Sequence, residues 1–168
     1  MKAAIAKNAK IFDNQIVPIT VKKKKEEICF SEDEHIKADT TLEKLSGLRT
    51  VFKQDGTVTA GNASPISDGA AAMLVASEDK CREYDLKPMA YIKGYSLVGV
   101  DPAYMGIGPV KAVSTLLKKQ GLSIHDIDLL ELNEAFAAQS VAVTKELGVD
   151  KSKVNVNGGA VAIGHPLG

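Results

Sequence analysis

The sequence predicts an α/β layered fold, and three observations carry that reading. From Lys53 onward, short apolar runs of strand character alternate with segments of helical character, the pattern of sheet and helix layers. Glycines stand where two of those helices would end, Gly121 after residues 109–120 and Gly148 after residues 134–147. Hydrophobic residues make up 45% and charged residues 25% of 168, the mixture of a globular protein rather than a disordered or fibrous one. A domain of this length can bury about 68–70% of its unfolded surface without disulfides or metal.

Taken in order, residues 16–21 and 28–30 read as two short strands flanking a charge run, Lys22 to Lys25 followed by Glu26 and Glu27. Such a run reads as a solvated face or a mobile loop. Asp39-Thr40 with Glu43 marks a helix start before Leu42 and Leu45. Asp55-Gly56 is a turn signal, and residues 61–65 form a small-residue loop. Residues 68–77 are apolar and alanine-rich, compatible with a buried strand or a helix, which periodicity cannot separate. Residues 78–86 read as a polar helix stopped by Pro88, residues 90–100 as a strand and Asp101-Pro102 as a turn. Residues 109–120 form an amphipathic helix with proline at its start. Residues 127–132 read as a strand, 134–147 as a helix and 153–157 as a strand. A glycine-rich segment from Gly158 to Gly168 closes the chain. Because Gly168 follows Pro166 by two residues, where a new element would begin, the expectation is a truncated domain.

Lys plus Arg and Asp plus Glu balance at 21 each, which argues against a nucleic-acid or membrane-surface partner. Residues 1–53 carry a net +3 and the remainder −3. The longest apolar run, residues 70–76, is far short of the roughly 20 residues that span a bilayer. Lys7 and Lys10 interrupt the apolar stretch near Met1, so no signal peptide is read. Cys29 and Cys81 make no disulfide framework, and no CxxC occurs. A soluble, cytoplasmic protein is the expectation.

Three segments could carry chemistry. His165, held between Gly164 and Pro166, is a candidate general base or hydrogen-bond donor, or a loop histidine with no role. The glycines around it miss the dinucleotide-binding spacing. Asn133, at a strand-to-helix junction, could cap the helix or position a water beside a carbonyl. Glu134 suits the helix dipole, and Phe136 reads as core or pocket wall. Residues 59–71 are small enough for a backbone to run close to a ligand, with Ser64 able to hydrogen-bond it. No histidine lies near Ser64 to make it a nucleophile. His35 and His125 sit in polar surroundings and read as solvated. Cys29 and Cys81 lack a neighbouring base, and no spacing supports a metal site.

Together these segments resemble the thiolase family, specifically its acetyl-CoA acetyltransferases. Asn133-Glu134-Ala135-Phe136-Ala137 matches the family's asparagine motif, and Asn157-Gly158-Gly159-Ala160 through Gly164-His165-Pro166-Leu167-Gly168 its histidine motif. Residues 56–71 look like the segment entering the coenzyme A pocket, and residues 100–109 match another family stretch. The likeness runs from about Phe12 to Gly168. It implies a partial thiolase-like fold, a mixed sheet with crossover helices. Residues 1–53 would belong to the coenzyme A-binding loop region, 54–77 would supply the last strand segment of the N-terminal half, and 78–168 an incomplete C-terminal half.

The resemblance further implies an acyl-CoA C-acyltransferase that makes or cleaves carbon–carbon bonds between acyl-CoA thioesters. His165 would activate the nucleophilic cysteine and help bind the thioester oxygen, and Asn133 would hold a water for the same oxygen. Ser64 would hydrogen-bond the pantetheine arm, with Ala60, Met105, Ala135 and Phe136 lining its tunnel. No cofactor is implied beyond the coenzyme A thioesters that are substrates, and the full-length protein would be a homo-oligomer. Both catalytic cysteine motifs of the family are missing, and neither Cys29 nor Cys81 matches them. Pro65 and Ser67 replace a glycine and an asparagine common at these positions. The isolated chain is therefore expected to be inactive. Alternatives are a non-catalytic coenzyme A-binding module, or a half-subunit whose partner supplies the rest. Asn133 and His165 lie 32 residues apart across one strand–helix–strand unit. A right-handed crossover would return the strands parallel and bring both side chains to one cleft.

Overall fold

A computed structural model describes residues 1–24 and 26–167; Lys25 of the basic run and Gly168 of the glycine-rich motif lie outside the described residues. The chain opens with α1 (Lys2–Asn8), an element the sequence did not announce. Seven residues cannot hold a helix alone. Here Ala3 and Ala6 are buried, and the Lys2 ammonium donates to the Val154 carbonyl at 2.6 Å. Docking, not propensity, supports it.

The two expected N-terminal strands pair as an antiparallel hairpin, β1 (Ile19–Lys23) with β2 (Glu26–Phe30). Both extend into the charge run, because the register sets Lys22 opposite Glu27 and Lys23 opposite Glu26. Opposite charges across a ladder are favourable. Lys22, Lys23, Glu26 and Glu27 are thus the exposed end of a hairpin, the solvated face and not the mobile loop. Helix α2 (Leu42–Ser46) starts one residue later than expected. Thr41, extended, is the cap, and its side chain accepts from the Lys44 N–H at 3.2 Å.

Residues 68–77 and 90–100 form neither ladder nor helix among the described residues. A strand exists only where a second backbone row pairs with it, and no described segment does so here. Helix α3 (Glu78–Glu83), capped by Ser77, separates them. It ends earlier than expected, at Tyr84, because Asp85 turns to φ 50° before Pro88 is reached. Asp101 is the cap of a 3₁₀ turn over Pro102–Ile107, accepting from the Ala103 N–H at 2.9 Å.

Helix α4 (Gly108–Gln120) ends at Gly121 and α5 (Ala137–Leu147) at Gly148, each glycine left-handed as the sequence requires. The start of α5 falls three residues after Glu134. Residues 135–137 instead pair with residues 62–64, through a bridge between Ala63 and Phe136 and a bond from the Ala137 N–H to the Asn62 carbonyl. The strands expected at 127–132 and 153–157 contract to one parallel bridge, Leu130 with Val154, because a 3₁₀ turn occupies Lys151–Lys153. A short helix, α6 (Ala160–Ile163), follows inside the glycine-rich segment. The packed centre is Leu132, Val143, Val149 and Val154, backed by Val110, Ile124, Leu130 and Leu147.

The content is mixed α and β, but the expected mixed sheet is not built among the described residues. Their accessible surface is 13,696 Å², where a compact protein of this mass exposes about 8,000 Å². No helix among the described residues is long and apolar enough to cross a membrane.

Candidate active site

The site is built around a polar clamp that the sequence reading missed. Asn155 is buried, 4% exposed, with φ 45°, a left-handed conformation asparagine tolerates better than most residues. Its side chain works as an extra backbone unit. Oδ1 accepts from the Leu132 N–H at 2.7 Å, and Nδ2 donates to the Leu132 carbonyl at 2.8 Å. With the Leu130–Val154 bridge, this holds the end of one extended segment beside the start of the next. The signal was present in the alternation Val154-Asn155-Val156-Asn157, read as an ordinary strand.

Glu134 extends the clamp. Its Oε1 accepts from Asn155 Nδ2 at 3.1 Å and its Oε2 from the Val161 N–H at 3.2 Å. The carboxylate therefore ties the asparagine motif to the first turn of α6 and does not serve the dipole of α5, which begins after it. Two close approaches fix the histidine loop. A Cβ on Gly158, at φ 101°, would lie 2.5 Å from the Ala3 side chain of α1. A Cβ on Gly164, at φ 94°, would overlap the Ser67 hydroxyl. The His165 N–H then reaches the Pro65 carbonyl at 3.4 Å.

At the end of this scaffold Asn133 Nδ2 lies 3.2 Å from His165 Nε2. Asn133 is exposed and His165 half-buried. An amide N–H can only donate, so a hydrogen bond here requires the Nε2 lone pair to face Asn133, the tautomer of a neutral imidazole with its proton on Nδ1. The two side chains come together at one edge of this scaffold, and Asn133 does not cap α5. Phe136 occupies the cap position, with no side-chain bond.

The other candidates divide into two groups. Ser64, Ala135 and Phe136 come together: the Ser64 N–H and hydroxyl both reach the Ala135 carbonyl, at 3.1 and 3.2 Å. Phe136 meets Phe52 edge-on at 5.8 Å, a contact the sequence did not suggest. Ala60 and Met105 are exposed, Met105 to 70%. Met105 lies on the 3₁₀ turn whose Gly106 packs against Gln139 of α5. Cys29 is exposed on β2 and Cys81 half-buried on α3. A surface cleft of about 480 Å³ includes Cys29 with Lys7, Phe30 and Glu32. Another of about 300 Å³ lies behind the histidine loop, between Lys2, Ala3, Glu134 and Gly159. Among the described residues no cluster of three or more His, Cys, Asp or Glu is placed for a metal. His125 is exposed, but His35 is not simply solvated: it is half-buried, its Nε2 3.1 Å from Ser67 Oγ.

Comparison with known proteins gives one consistent answer. Residues 1–79 match the N-terminal domain of thiolase, and residues 86–168 its C-terminal domain. Over 163 residues the chain is 55% identical to human mitochondrial 3-ketoacyl-CoA thiolase, covering 97% of this chain and 41% of that protein. Over 168 residues it is 54% identical to an acetyl-CoA acetyltransferase of Chromobacterium violaceum, covering 99% and 43%. The crystal structure of the Bacillus anthracis acetyl-CoA acetyltransferase superposes with a TM-score of 0.95 at 54% identity, over 99% of this chain and 42% of that one. Human mitochondrial 3-ketoacyl-CoA thiolase in complex with CoA superposes with a TM-score of 0.91 at 53% identity, over 99% and 41%. The chain spans about two fifths of the length of the curated relatives it matches.

Proposed function

The chain belongs to the thiolase family, with portions of its N- and C-terminal domains, and from that membership we propose that it carries half of a thiolase active site. The reaction is acyl transfer between coenzyme A thioesters, in the condensing or the thiolytic direction. The observation that supports the assignment is the 3.2 Å approach of Asn133 to His165. In this reading His165 takes the proton of a cysteine thiol supplied from outside these 168 residues. The thiolate then attacks the thioester carbonyl, the carbon–sulfur bond breaks, and coenzyme A leaves with a proton. Asn133 positions a water toward the same carbonyl oxygen. Preorganised donors at such an oxygen stabilise the transition state by about 2.7–4 kcal/mol each.

Ser64, Ala60, Met105, Ala135 and Phe136 are the residues that would hold the pantetheine arm. Residues 1–53 then form part of the coenzyme A-binding loop region, 54–77 the last segment of the N-terminal half and 78–168 part of the C-terminal half. The full-length protein is read as cytoplasmic and homo-oligomeric.

Without a thiolate nucleophile in the site, the purified chain should show no thiolysis or condensation of acetoacetyl-CoA. Turnover that survives replacement of both Cys29 and Cys81 would overturn the mechanism. Coenzyme A added to the ¹⁵N-labelled chain should perturb Ser64, Phe136 and His165 at millimolar, not micromolar, concentrations, because so open a site cannot bury the ligand. Perturbation confined to the cleft beside Cys29 would refute the site, and sub-micromolar affinity would favour a dedicated coenzyme A-binding module.

A second reading, a half-subunit completed by a partner, is favoured by the excess of exposed apolar surface. Co-expression with a thiolase N-terminal half bearing the nucleophile should then restore acetoacetyl-CoA thiolysis. Failure of the two to co-purify would sink it.

A further inference from the structure

His35 takes no part in the site described above, yet it is joined to it by consecutive hydrogen bonds. Its Nε2 lies 3.1 Å from the Ser67 hydroxyl, and that hydroxyl lies 3.2 Å from the Pro65 carbonyl. The same carbonyl is the acceptor for the His165 N–H, at 3.4 Å. Ser67 Oγ also fills the space where a Cβ on Gly164 would stand, and the His35 ring edge lies 3.3 Å from that position. Thus His35 and Ser67 form the wall against which the histidine loop turns.

A hydroxyl has one proton to give. If Ser67 donates to Pro65, its oxygen must accept from His35, which requires the imidazole proton on Nε2. That is the one arrangement in which both contacts are hydrogen bonds. The backbone N–H of His35 is in turn donated to Asp33 Oδ1 at 2.9 Å, which anchors the loop that presents the ring.

We propose that His35 is a positioning residue for His165, holding Ser67 as a donor to the Pro65 carbonyl that receives the His165 N–H. Removing the ring frees the hydroxyl to turn away, and the histidine loop loses part of its wall. The proposal rests on the thiolase reading for its catalytic consequence alone. The test reads proton positions and loop opening rather than turnover, so either can fail while the other stands.

The test uses the full 168-residue chain, ¹⁵N-labelled, at pH 8, above the ordinary imidazole pKa of about 6.5. Long-range ¹H–¹⁵N spectra should show His35 protonated on Nε2 and His165 on Nδ1. In His35→Ala the His165 amide should exchange roughly fivefold faster, the change that one net hydrogen bond of about 1 kcal/mol carries. The Leu130 amide, donated to the Lys153 carbonyl in the packed centre, reports global opening and should not change. His35→Gln, whose carboxamide N–H can replace the ring N–H, should restore the slower exchange. The proposal is overturned if His35 in the unaltered chain carries its proton on Nδ1. It is equally overturned if His165 exchange is unchanged in His35→Ala, or if Leu130 accelerates in step.

Discussion

Residues 127–165 and residues 68–100 make an instructive pair. The second region holds the longest apolar run of the chain, yet Leu74 is 80% exposed, and neither of its extended segments enters a ladder. The first mixes acids with apolar residues, yet Val143 is fully buried, and Asn133 and His165 meet at its edge. Hydrophobicity alone does not decide which segment becomes structure. What distinguishes the first region is closure: α5 supplies an apolar face, and the Asn155 side chain supplies the hydrogen bonds that a lone bridge cannot. The second has apolar side chains but no backbone row opposite.

The largest effect expected on this contrast comes from Asn155→Ala. It leaves the Leu132 N–H and carbonyl unpaired and forces alanine into a left-handed conformation, for a loss on the order of 3 kcal/mol. Urea unfolding should register that loss, and the cross-peaks between Asn133 and His165 should disappear. Survival of those cross-peaks would mean that the clamp does not position the site. Val143→Ala should cost about 2 kcal/mol through two lost methyl groups and the cavity they leave. A negligible change there would place the core elsewhere.

Acid should erode the first region's margins gradually. Hydrogen bonds from the Ser123 and Ser152 backbones hold the Asp126 and Asp150 carboxyls below their ordinary value of 3.8. A folded-state pKa below the unfolded one contributes stability above the unfolded value and loses it as pH falls through the folded one. The unfolding midpoint should therefore be flat from neutral pH down to about 5 and decline below about 4. A decline beginning near pH 6 would implicate histidines instead.

The smallest effect sharpens the comparison from the other side. Leu74→Asp should change stability by no more than about 0.5 kcal/mol, because the side chain has nothing to lose. A loss comparable to that of Val143→Ala would show that residues 68–77 are packed in solution, and would support the completing partner.

Local chemistry made much of this legible from the sequence. Gly121 and Gly148 end their helices because only a residue without Cβ adopts that left-handed turn cheaply. Asn133 and His165 could be placed together because a unit of this length suits a right-handed crossover, and the parallel Leu130–Val154 bridge does bring its two ends side by side. Other elements could not be read, because their reasons lie far along the chain. Helix α1 forms because Ala3 meets Gly158 and Lys2 meets Val154. The late start of α5 depends on residues 62–64 capturing its first N–H, and Glu134 is drawn away from α5 to the first turn of α6, 27 residues on.

The sequence by itself determined the family, where α4 and α5 end, and the two side chains that meet. The tertiary structure decided which apolar segments are covered, which polar side chains clamp the loop, and that Ser67 and His35 stand behind it. The division follows from range: helix ends and turns are settled by the φ and ψ of a few neighbouring residues, whereas burial and hydrogen-bond satisfaction require a partner whose position only the folded chain defines.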